Sequence, residues 1–481
     1  MIIFTLYSNY TYCHFDSTDD EFLIRDLCSH KIRRFVSKYT DRFGNQINLK
    51  DYRRLPFNLK RKYSLKAESI SSSISYYYDK YKSFPSGWLP RFIKILNDND
   101  IQYCVSDKRK KPVSDIITNN IPELRYYQKE AIDSAIKAGR GIIHHPTGSG
   151  KTIIMAELIA KFGLNSLVIV PNLVLLDQTY DTFFTFFKKN NVGRIGEGKW
   201  DPRKITISTA QTLWVRYKEE YVKKFLKSID VLLSDEAHRI NKNEEHLPNT
   251  FFRIGMACSS YYRFGFTATP GITDSLQRKF LEGVTGRIVH FISIDKLIDE
   301  GYLSNAIILM KKMNSNLKFS KWRDAYEKGI LENEERNIAI KTFAENYAIS
   351  GKSVLIMVDE VENHAKILSD LIPSAVLLIG DDKKDERKKK IEQFKSKESK
   401  ILISTVLSEG FDFKGLECVI IAAGKRSAKT TAQRIGRALR VEPGKKEAII
   451  VDFYDNFSYL KKHSEERLQT YRDLGFEVKI I

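Results

Sequence analysis

The chain has few cysteines, and their arrangement excludes two common kinds of protein. Five cysteines are scattered over 481 residues, and no two of them form a Cys-x-x-Cys pair. An odd, dispersed set argues against both a disulfide framework and a zinc site, so we expect a reducing compartment. The sequence also lacks an apolar run near the ~18 residues that a membrane span needs. We therefore expect no membrane association.

The N-terminus lacks the features of a signal peptide. Residues 1–7 have no basic region before them and no long apolar segment after them, so we expect a strand there. Acidic residues are also in deficit, since 79 Lys and Arg face 60 Asp and Glu and leave a net charge of +19. This surplus favours a polyanionic partner, most often nucleic acid, although lysine-based solubility is an alternative.

Short apolar runs alternate with helical stretches in two successive blocks, which predicts an α/β fold with two doubly wound parallel sheets. We predict a small N-terminal α/β DNA-binding module at 1–115, a first domain at 116–295, a linker at 296–340 and a second domain at 341–481. The predicted strands lie near 141–144, 166–171, 204–208, 230–234 and 263–267, then 353–358, 375–379, 400–404, 418–422 and 447–451, with a closing helix and strand in 455–481.

The first 115 residues interleave Tyr, Lys and Arg without any nucleotide motif. Residues 87–97 have helical spacing if Pro90 occupies the first turn, and 101–105 alternate like a strand. Basic clusters at 53–54, 60–62 and 108–111 make this module a candidate binder of duplex or junction DNA. Tyr76–Tyr78 could stack on bases, but partly buried packing is the more common role of such a run.

The segment Pro146–Thr152 reads Pro-Thr-Gly-Ser-Gly-Lys-Thr, between a predicted strand and a predicted helix. This context is typical of a P-loop, in which backbone N–H groups of Thr147, Gly148, Ser149 and Gly150 turn toward the phosphates of ATP. Lys151 would pair with the phosphates, and Thr152 would ligate Mg²⁺. The usual first glycine of the motif is replaced by His145.

Ser234-Asp-Glu-Ala-His-Arg239 follows the strand predicted at 230–234. Taken alone, such a segment is more often a helix cap. After a P-loop it predicts that Asp235 holds Mg²⁺ and that Glu236 polarises the attacking water.

Gln433-Arg-Ile-Gly-Arg-Ala-Leu-Arg440 places polar side chains at spacings of three and four on one helical face. One reading is a solvated basic helix. The other, favoured by the P-loop, is that Arg437 and Arg440 reach the γ-phosphate across a cleft while Gln433 positions water.

With these motifs in order, residues 120–455 resemble the superfamily 2 helicases and translocases, whose two motor domains are RecA-like. The resemblance implies that Arg125 and Gln128 contact ATP in the adenine-reading segment, and that Gly410 and Asp412 belong to the motif that contacts ATP from the second domain. It implies coupling through His238, Thr267 and Thr269. The implied contacts to DNA phosphates are Pro171, Asn172, Thr209 and Thr405.

Within that superfamily the sequence is most similar to the phage UvsW-type branch-migration helicases and, more distantly, to the XPB group and RecG. The resemblance implies an ATP- and Mg²⁺-dependent helicase acting on single-stranded, forked or branched DNA. It also implies a monomer in the cytoplasm, which is the host's if a phage encodes it. A duplex translocase that does not separate strands, an RNA helicase and an inactive nucleic-acid-binding scaffold are the alternatives.

Overall fold

The computed structural model describes residues 1–41, 46–47, 63–115, 117–241, 248–271, 275–314, 319, 321–380, 382–405, 416–424, 447–473 and 476–481. These residues separate into two compact units, 1–110 and 111–481. In the described part of the chain, no helix combines the length and the apolar character needed to cross a bilayer.

The first unit is a small α/β fold. A four-stranded sheet has the order β6-β2-β1-β7, in which β1 runs parallel to β7, and a second sheet has the order β4-β3-β5. The helices are Thr18–Leu27 and Leu89–Asp98. The strands are β1 (Ile2–Leu6), β2 (Tyr10–Phe15), β3 (Ser29–Asp41), β4 (Gln46–Ile47), β5 (Tyr63–Ser75), β6 (Ser83–Pro85) and β7 (Tyr103–Asp107).

Aromatic side chains form the core of this unit. Phe84 packs edge-on against Phe4, with ring centroids 6.0 Å apart, and lies 4.7 Å from Phe92. Tyr76 and Tyr77 are buried, so packing is their role in the structure. The basic residues 53–54 and 60–62 lie outside the described residues.

Two predictions for this unit can be compared with its backbone. The helix predicted at 87–97 is confirmed, with Pro90 in its first turn, where a missing N–H costs nothing. The strand predicted at 101–105 begins two residues later, because Asp100 adopts a left-handed conformation (φ 54°) and Ile101 still donates to the Leu96 carbonyl.

The second unit begins with an eight-stranded sheet of order β11-β10-β12-β9-β13-β14-β8-β15, in which only β11 is antiparallel to its neighbour. Its strands are β8 (Arg140–His144), β9 (Ser166–Val170), β10 (Val192–Gly196), β11 (Lys199–Asp201), β12 (Ile205–Thr209), β13 (Val231–Ser234), β14 (Tyr262–Thr267) and β15 (Ile288–Phe291). The helices are Tyr126–Ala138, Lys151–Phe162, Leu173–Phe186, Ala210–Val215, Glu220–Lys227, Thr250–Ala257, Leu276–Thr285 and Ile294–Asp299.

A seven-stranded, wholly parallel sheet follows, of order β18-β19-β17-β20-β21-β16-β22. Its strands are β16 (Asn305–Met313), β17 (Val354–Met357), β18 (Ala375–Leu378), β19 (Ile401–Ser404), β20 (Cys418–Ile421), β21 (Glu447–Asp455) and β22 (Glu477–Ile480). The helices are Trp322–Tyr326, Glu334–Ile349, Lys366–Leu371, Lys384–Lys395 and Ser458–Asp473, with wider helical turns at Glu327–Leu331 and Val361–Ala365.

Both faces of each large sheet are covered, which explains the continuous apolar runs in the sequence. In β17, Leu355 and Met357 pack into one core, whereas Val354 and Ile356 pack into another. The ten strands predicted for the two motor domains are all present, as are the closing helix and strand. The predicted fold class is therefore confirmed.

The linker predicted at 296–340 needs a correction. Residues 305–313 form β16, which pairs with β21 and β22 inside the second sheet. Ala306, Ile308 and Met310 alternate into its core and are fully buried. This segment is therefore an interior strand, since it pairs with a strand on each side and its alternate apolar side chains pack into the core.

Two arginines are buried beneath the second sheet. The Arg467 guanidinium donates to both oxygens of Asp452, at 2.8 and 3.2 Å, and to the Phe453 carbonyl. Arg336 pairs with Asp455 at 3.3 Å. Buried charges persist only when they are paired in this way. The Arg467 pair ties the closing helix Ser458–Asp473 to β21, and the Arg336 pair ties the helix Glu334–Ile349 to the same strand.

Candidate nucleotide-binding site

The loop between β8 and the helix Lys151–Phe162 has the backbone of a phosphate cradle. Gly148 and Gly150 adopt positive φ angles of 89° and 82°, which side chains with a Cβ rarely tolerate. A Cβ on Gly150 would also lie 2.4 Å from Nε2 of Gln128. Glycine is therefore required here on two grounds, and the loop delivers its N–H groups to a helix N-terminus.

Two hydroxyls and a lysine line this loop. The hydroxyls of Thr147 and Ser149 are buried and have no hydrogen-bond partner among the described residues. The Lys151 ammonium is 9% exposed and donates to the Pro146 carbonyl at 3.1 Å. Unpaired buried donors beside a lysine fit a polyphosphate, so the residues present match the ATP that the sequence predicts.

Asp235 and Glu236 extend the site from the end of β13. Asp235 is 8% exposed, and burial, followed by the adjacent Glu236 carboxylate, raises its pKa to about 7, while Lys151 opposes the rise. Among the described residues, no group of three or more His, Cys, Asp or Glu side chains could hold a metal. Mg²⁺ usually binds to one or two protein oxygens together with phosphates and water, so Asp235 and Thr152 fit that cation.

Short polar contacts lead from these carboxylates to strand β14. Nδ1 of His238 lies 3.2 Å from the Glu236 carboxylate and 3.0 Å from the Thr267 hydroxyl. That hydroxyl also accepts from the Thr269 backbone N–H at 3.1 Å. The structure thus brings together His238, Thr267 and Thr269, the three residues predicted to couple hydrolysis to movement.

The predicted adenine-reading residue is held by the protein itself. Gln128 is 2% exposed, and its amide donates to the Ser149 carbonyl at 3.0 Å and accepts from the Arg125 N–H at 2.9 Å. Tyr127 donates to the same Ser149 carbonyl at 3.0 Å. Gln128 therefore holds the phosphate loop in place, and Tyr127 is a second residue that does so, although the sequence motif does not point to it.

Arg125, unlike Gln128, is exposed, and its guanidinium lies 4.8 Å from the centre of the Tyr302 ring. Tyr127 lies in the first turn of the helix Tyr126–Ala138, and Tyr302 lies in the turn after the helix Ile294–Asp299. Nothing in their sequence context distinguished them from ordinary core residues.

His145 replaces the usual first glycine of the P-loop, and its backbone conformation explains why a side chain is tolerated there. It is not among the described residues with a positive φ, so this position does not need glycine. Its ring is fully buried, and Nε2 lies 2.8 Å from Nδ1 of His290 on β15. Burial, followed by His290, lowers the pKa of His145 to about 3, so the ring packs in its neutral form.

The predicted DNA contacts of the first domain lie at the ends of two paired strands. Asn172 and Thr209 each accept a backbone N–H, from Leu175 at 2.9 Å and Thr212 at 3.2 Å, and so cap the helices that follow. Both side-chain oxygens are thus engaged within the protein. Pro171 has no N–H to donate to a phosphate, so any hydrogen bonds to DNA at these strand ends would have to come from its neighbours. Thr405 is half-buried after β19.

Five predicted residues of the second domain lie outside the described residues, and their roles stay predictions. They are Gly410, Asp412, Gln433, Arg437 and Arg440.

Two known family models match the parts of the chain that hold the predicted motifs. Residues 121–272 match the family model "Type III restriction enzyme, res subunit", and residues 337–442 match "Helicase conserved C-terminal domain". The first match contains the phosphate loop and the carboxylates, and the second follows it in the order predicted. The chain belongs to superfamily 2 of the helicases.

Two curated relatives of this superfamily 2 chain cover most of its motor region. It is 25% identical over 372 residues to the "DNA 3'-5' translocase XPB2" of Sulfurisphaera tokodaii, which covers 69% of this chain and 81% of the relative. It is 26% identical over 400 residues to the "ATP-dependent DNA helicase uvsW" of phage T4, covering 74% and 76%. Other relatives are longer, with as little as 51% of their length matched. The predicted likeness to UvsW and XPB is confirmed.

A solved structure supports the fold of the motor. Dbp5 of S. cerevisiae, bound to RNA and ADP BeF3, superposes with a TM-score of 0.54 at 18% identity, covering 74% of this chain and 89% of that one. At this identity the likeness concerns the fold alone.

Proposed function

We propose that the protein is an ATP-dependent DNA helicase that translocates on DNA and remodels branched substrates such as forks and Holliday junctions. One observation carries the ATPase part of this proposal. Lys151, the Asp235–Glu236 pair and the His238–Thr267 link converge at one edge of the first sheet. A phosphate-binding lysine, a carboxylate pair and a link to the next strand are the groups that phosphoryl transfer and its coupling use, which supports the proposal.

In this proposal, bound ATP with Mg²⁺ supplies the free energy of the phosphoanhydride bond. Lys151 and the loop N–H groups hold the phosphates, Thr152 and Asp235 hold the cation, and Glu236 orients water. Gln128 and Tyr127 keep the loop in place through the Ser149 carbonyl. Because Glu236 also faces His238, a change at the carboxylates reaches Thr267 through two short contacts.

Two features support a nucleic acid as the substrate, and a third favours DNA. The net charge of +19 favours a polyanion. The ends of β9 and β12 present helix starts at one sheet edge, where backbone groups can bind phosphates without reading sequence. The curated relatives quoted above bear the names of a DNA translocase and a DNA helicase.

One ATPase experiment tests this function. Turnover is measured without nucleic acid and with single-stranded, forked, four-way and blunt duplex DNA, and with RNA of matched length. We expect stimulation by DNA that is greatest on forked or four-way substrates. Equal stimulation by RNA would favour an RNA helicase, and stimulation by blunt duplex without strand displacement would favour a duplex translocase. Absence of turnover under all conditions would favour a scaffold.

The N-terminal module supplies the test of branch preference. We propose that residues 1–115 select forked or branched DNA, because the sequence of this segment contains Lys108–Lys111 and the two other basic clusters. Deleting 1–115 should reduce the preference for four-way over single-stranded DNA more than it reduces ATPase stimulated by single strands. Equal losses would contradict this role.

A further inference from the structure

An aromatic stack lies just beyond the helix Ala210–Val215. The rings of Trp214 and Tyr217 are stacked, with centroids 5.2 Å apart and planes inclined by 14°. The Arg253 guanidinium lies 5.2 Å from the centre of the Trp214 ring. We refer to Trp214, Tyr217 and Arg253 as the Trp214 stack. The site described above uses none of these side chains.

The Trp214 stack is on the DNA side of the first domain as the proposed function defines it. Its helix begins directly after Thr209, the last residue of β12, and Thr209 pairs with Val170 at the end of β9. The residues predicted to contact phosphates occupy these two strand ends. A strand of DNA held there would therefore pass within a few residues of Trp214.

The surroundings of the stack are basic and exposed. Arg216 and Lys218 flank Tyr217, and no carboxylate occurs from 210 to 218, although Glu219 and Glu220 follow. Val215, between the two aromatic residues, is 83% exposed. Trp214 and Tyr217 themselves are only partly buried. A stack that served the core alone would lie inside the fold, as the stacked Phe162 and Tyr262 rings do.

The geometry of Arg253 strengthens this reading. Its Nε donates to the Pro248 carbonyl at 2.9 Å, which holds the guanidinium close to the Trp214 ring. A guanidinium beside stacked aromatic rings offers a flat surface and a positive charge at one place. Sites for single-stranded nucleic acid combine these two features, because every base has a π-face and every linkage has a phosphate.

We propose that the Trp214 stack binds an unpaired base of single-stranded DNA. This inference rests on the proposed function, since it extends the track on the first domain from phosphates to a base. The base packs against the aromatic rings, while Arg253 and the neighbouring Arg216 or Lys218 face the phosphates. Stacking of this kind tolerates any sequence, as a motor on DNA requires.

The test separates the contribution of bases from that of phosphates. Binding of a dT oligonucleotide is compared with binding of an abasic oligonucleotide that has the same number of phosphates. The intact chain should bind the dT probe about fivefold more tightly or better, the minimum expected for one stacked base. Tyr217→Ala should bring that ratio close to one, and Tyr217→Phe should retain it.

Trp322→Ala is the matched control, because Trp322 is also part-exposed (38%) and packs against an aromatic ring, that of His463, in the second domain. Its ratio should match that of the intact chain, and circular dichroism should show that each variant is folded. Equal binding of both probes by the intact chain, or an unchanged ratio in folded Tyr217→Ala, would overturn the inference while DNA-stimulated ATPase stands. No DNA binding and no stimulation at all would overturn the proposed function as well.

Discussion

Replacing Thr267 with valine tests the link between the carboxylates and strand β14. The side chain is fully buried, and its hydroxyl bonds both the His238 ring and the Thr269 backbone N–H. Valine has the same shape and no hydroxyl, so both contacts are lost without a cavity. For stability, Thr269→Val is the matched control, because the Thr269 hydroxyl is buried and has no hydrogen-bond partner in the part of the chain that the structure describes.

The expected cost to stability follows from these contacts. Each net hydrogen bond contributes about 1 kcal/mol, so Thr267→Val should lose about 2 kcal/mol. That loss corresponds to a fall of about 4–8 °C in the unfolding temperature of a domain of this size. Thr269→Val should change stability by less than about 0.5 kcal/mol, or raise it, because it removes an unsatisfied buried group.

The functional readout is the number of base pairs separated per ATP hydrolysed on a forked substrate. Without the hydroxyl, the contact between His238 and strand β14 is lost, so a change at Glu236 can no longer be transmitted through it. Thr267→Val should therefore lower this ratio by about fivefold or more, the lower end of typical coupling free energies. Basal ATP turnover should fall less than unwinding does.

Two results would refute the reasoning. Equal stability of the two variants would mean that the Thr267 hydroxyl makes no net contribution. An unchanged unwinding yield per ATP in Thr267→Val would show that coupling does not pass through His238.

Two further predictions concern the second domain. Arg467→Met should destabilise it by about 3–5 kcal/mol because the buried Asp452 carboxylate loses its partner, and adding Asp452→Asn should recover part of the loss in chemical denaturation. Full stability of the single variant would contradict this. Burial, followed by Arg336, lowers the pKa of His364 from 6.5 to about 3. Its stabilising effect is complete above pH 6.5 and is lost progressively between pH 6.5 and about 3. His364→Leu should therefore reduce the stability lost between pH 8 and 5.5 by about 1.4 kcal/mol, and an identical pH profile would refute this.

The sequence predicted the motor fold because its strands are buried on both faces. Runs such as Val354–Met357 stay apolar at every position when each face has its own core. β16 escaped prediction because Lys311 and Lys312 interrupt its apolar residues late in the strand. Its place between β21 and β22 depends on pairing with residues more than a hundred positions away, which local pattern does not encode.

Part of the candidate site could also be predicted from the sequence. The spacing of glycines, Lys151 and the carboxylates carries the phosphate chemistry, and the structure places Lys151 and Asp235 near one another. The hydrogen-bond partners of these residues could not be predicted, since they depend on tertiary geometry. Gln128 shows this, because its amide is used by Ser149 and Arg125 within the protein.

ATP turnover of Lys151→Ala and Glu236→Gln, measured beside the intact chain with single-stranded and forked DNA, tests the central claim most directly. The account predicts that both variants lose turnover by about 100-fold or more, since each removes a group that acts on the reacting phosphate or water. Their affinity for DNA should stay close to that of the intact chain. Unchanged turnover in both variants would contradict the assignment of this site as the motor of the protein.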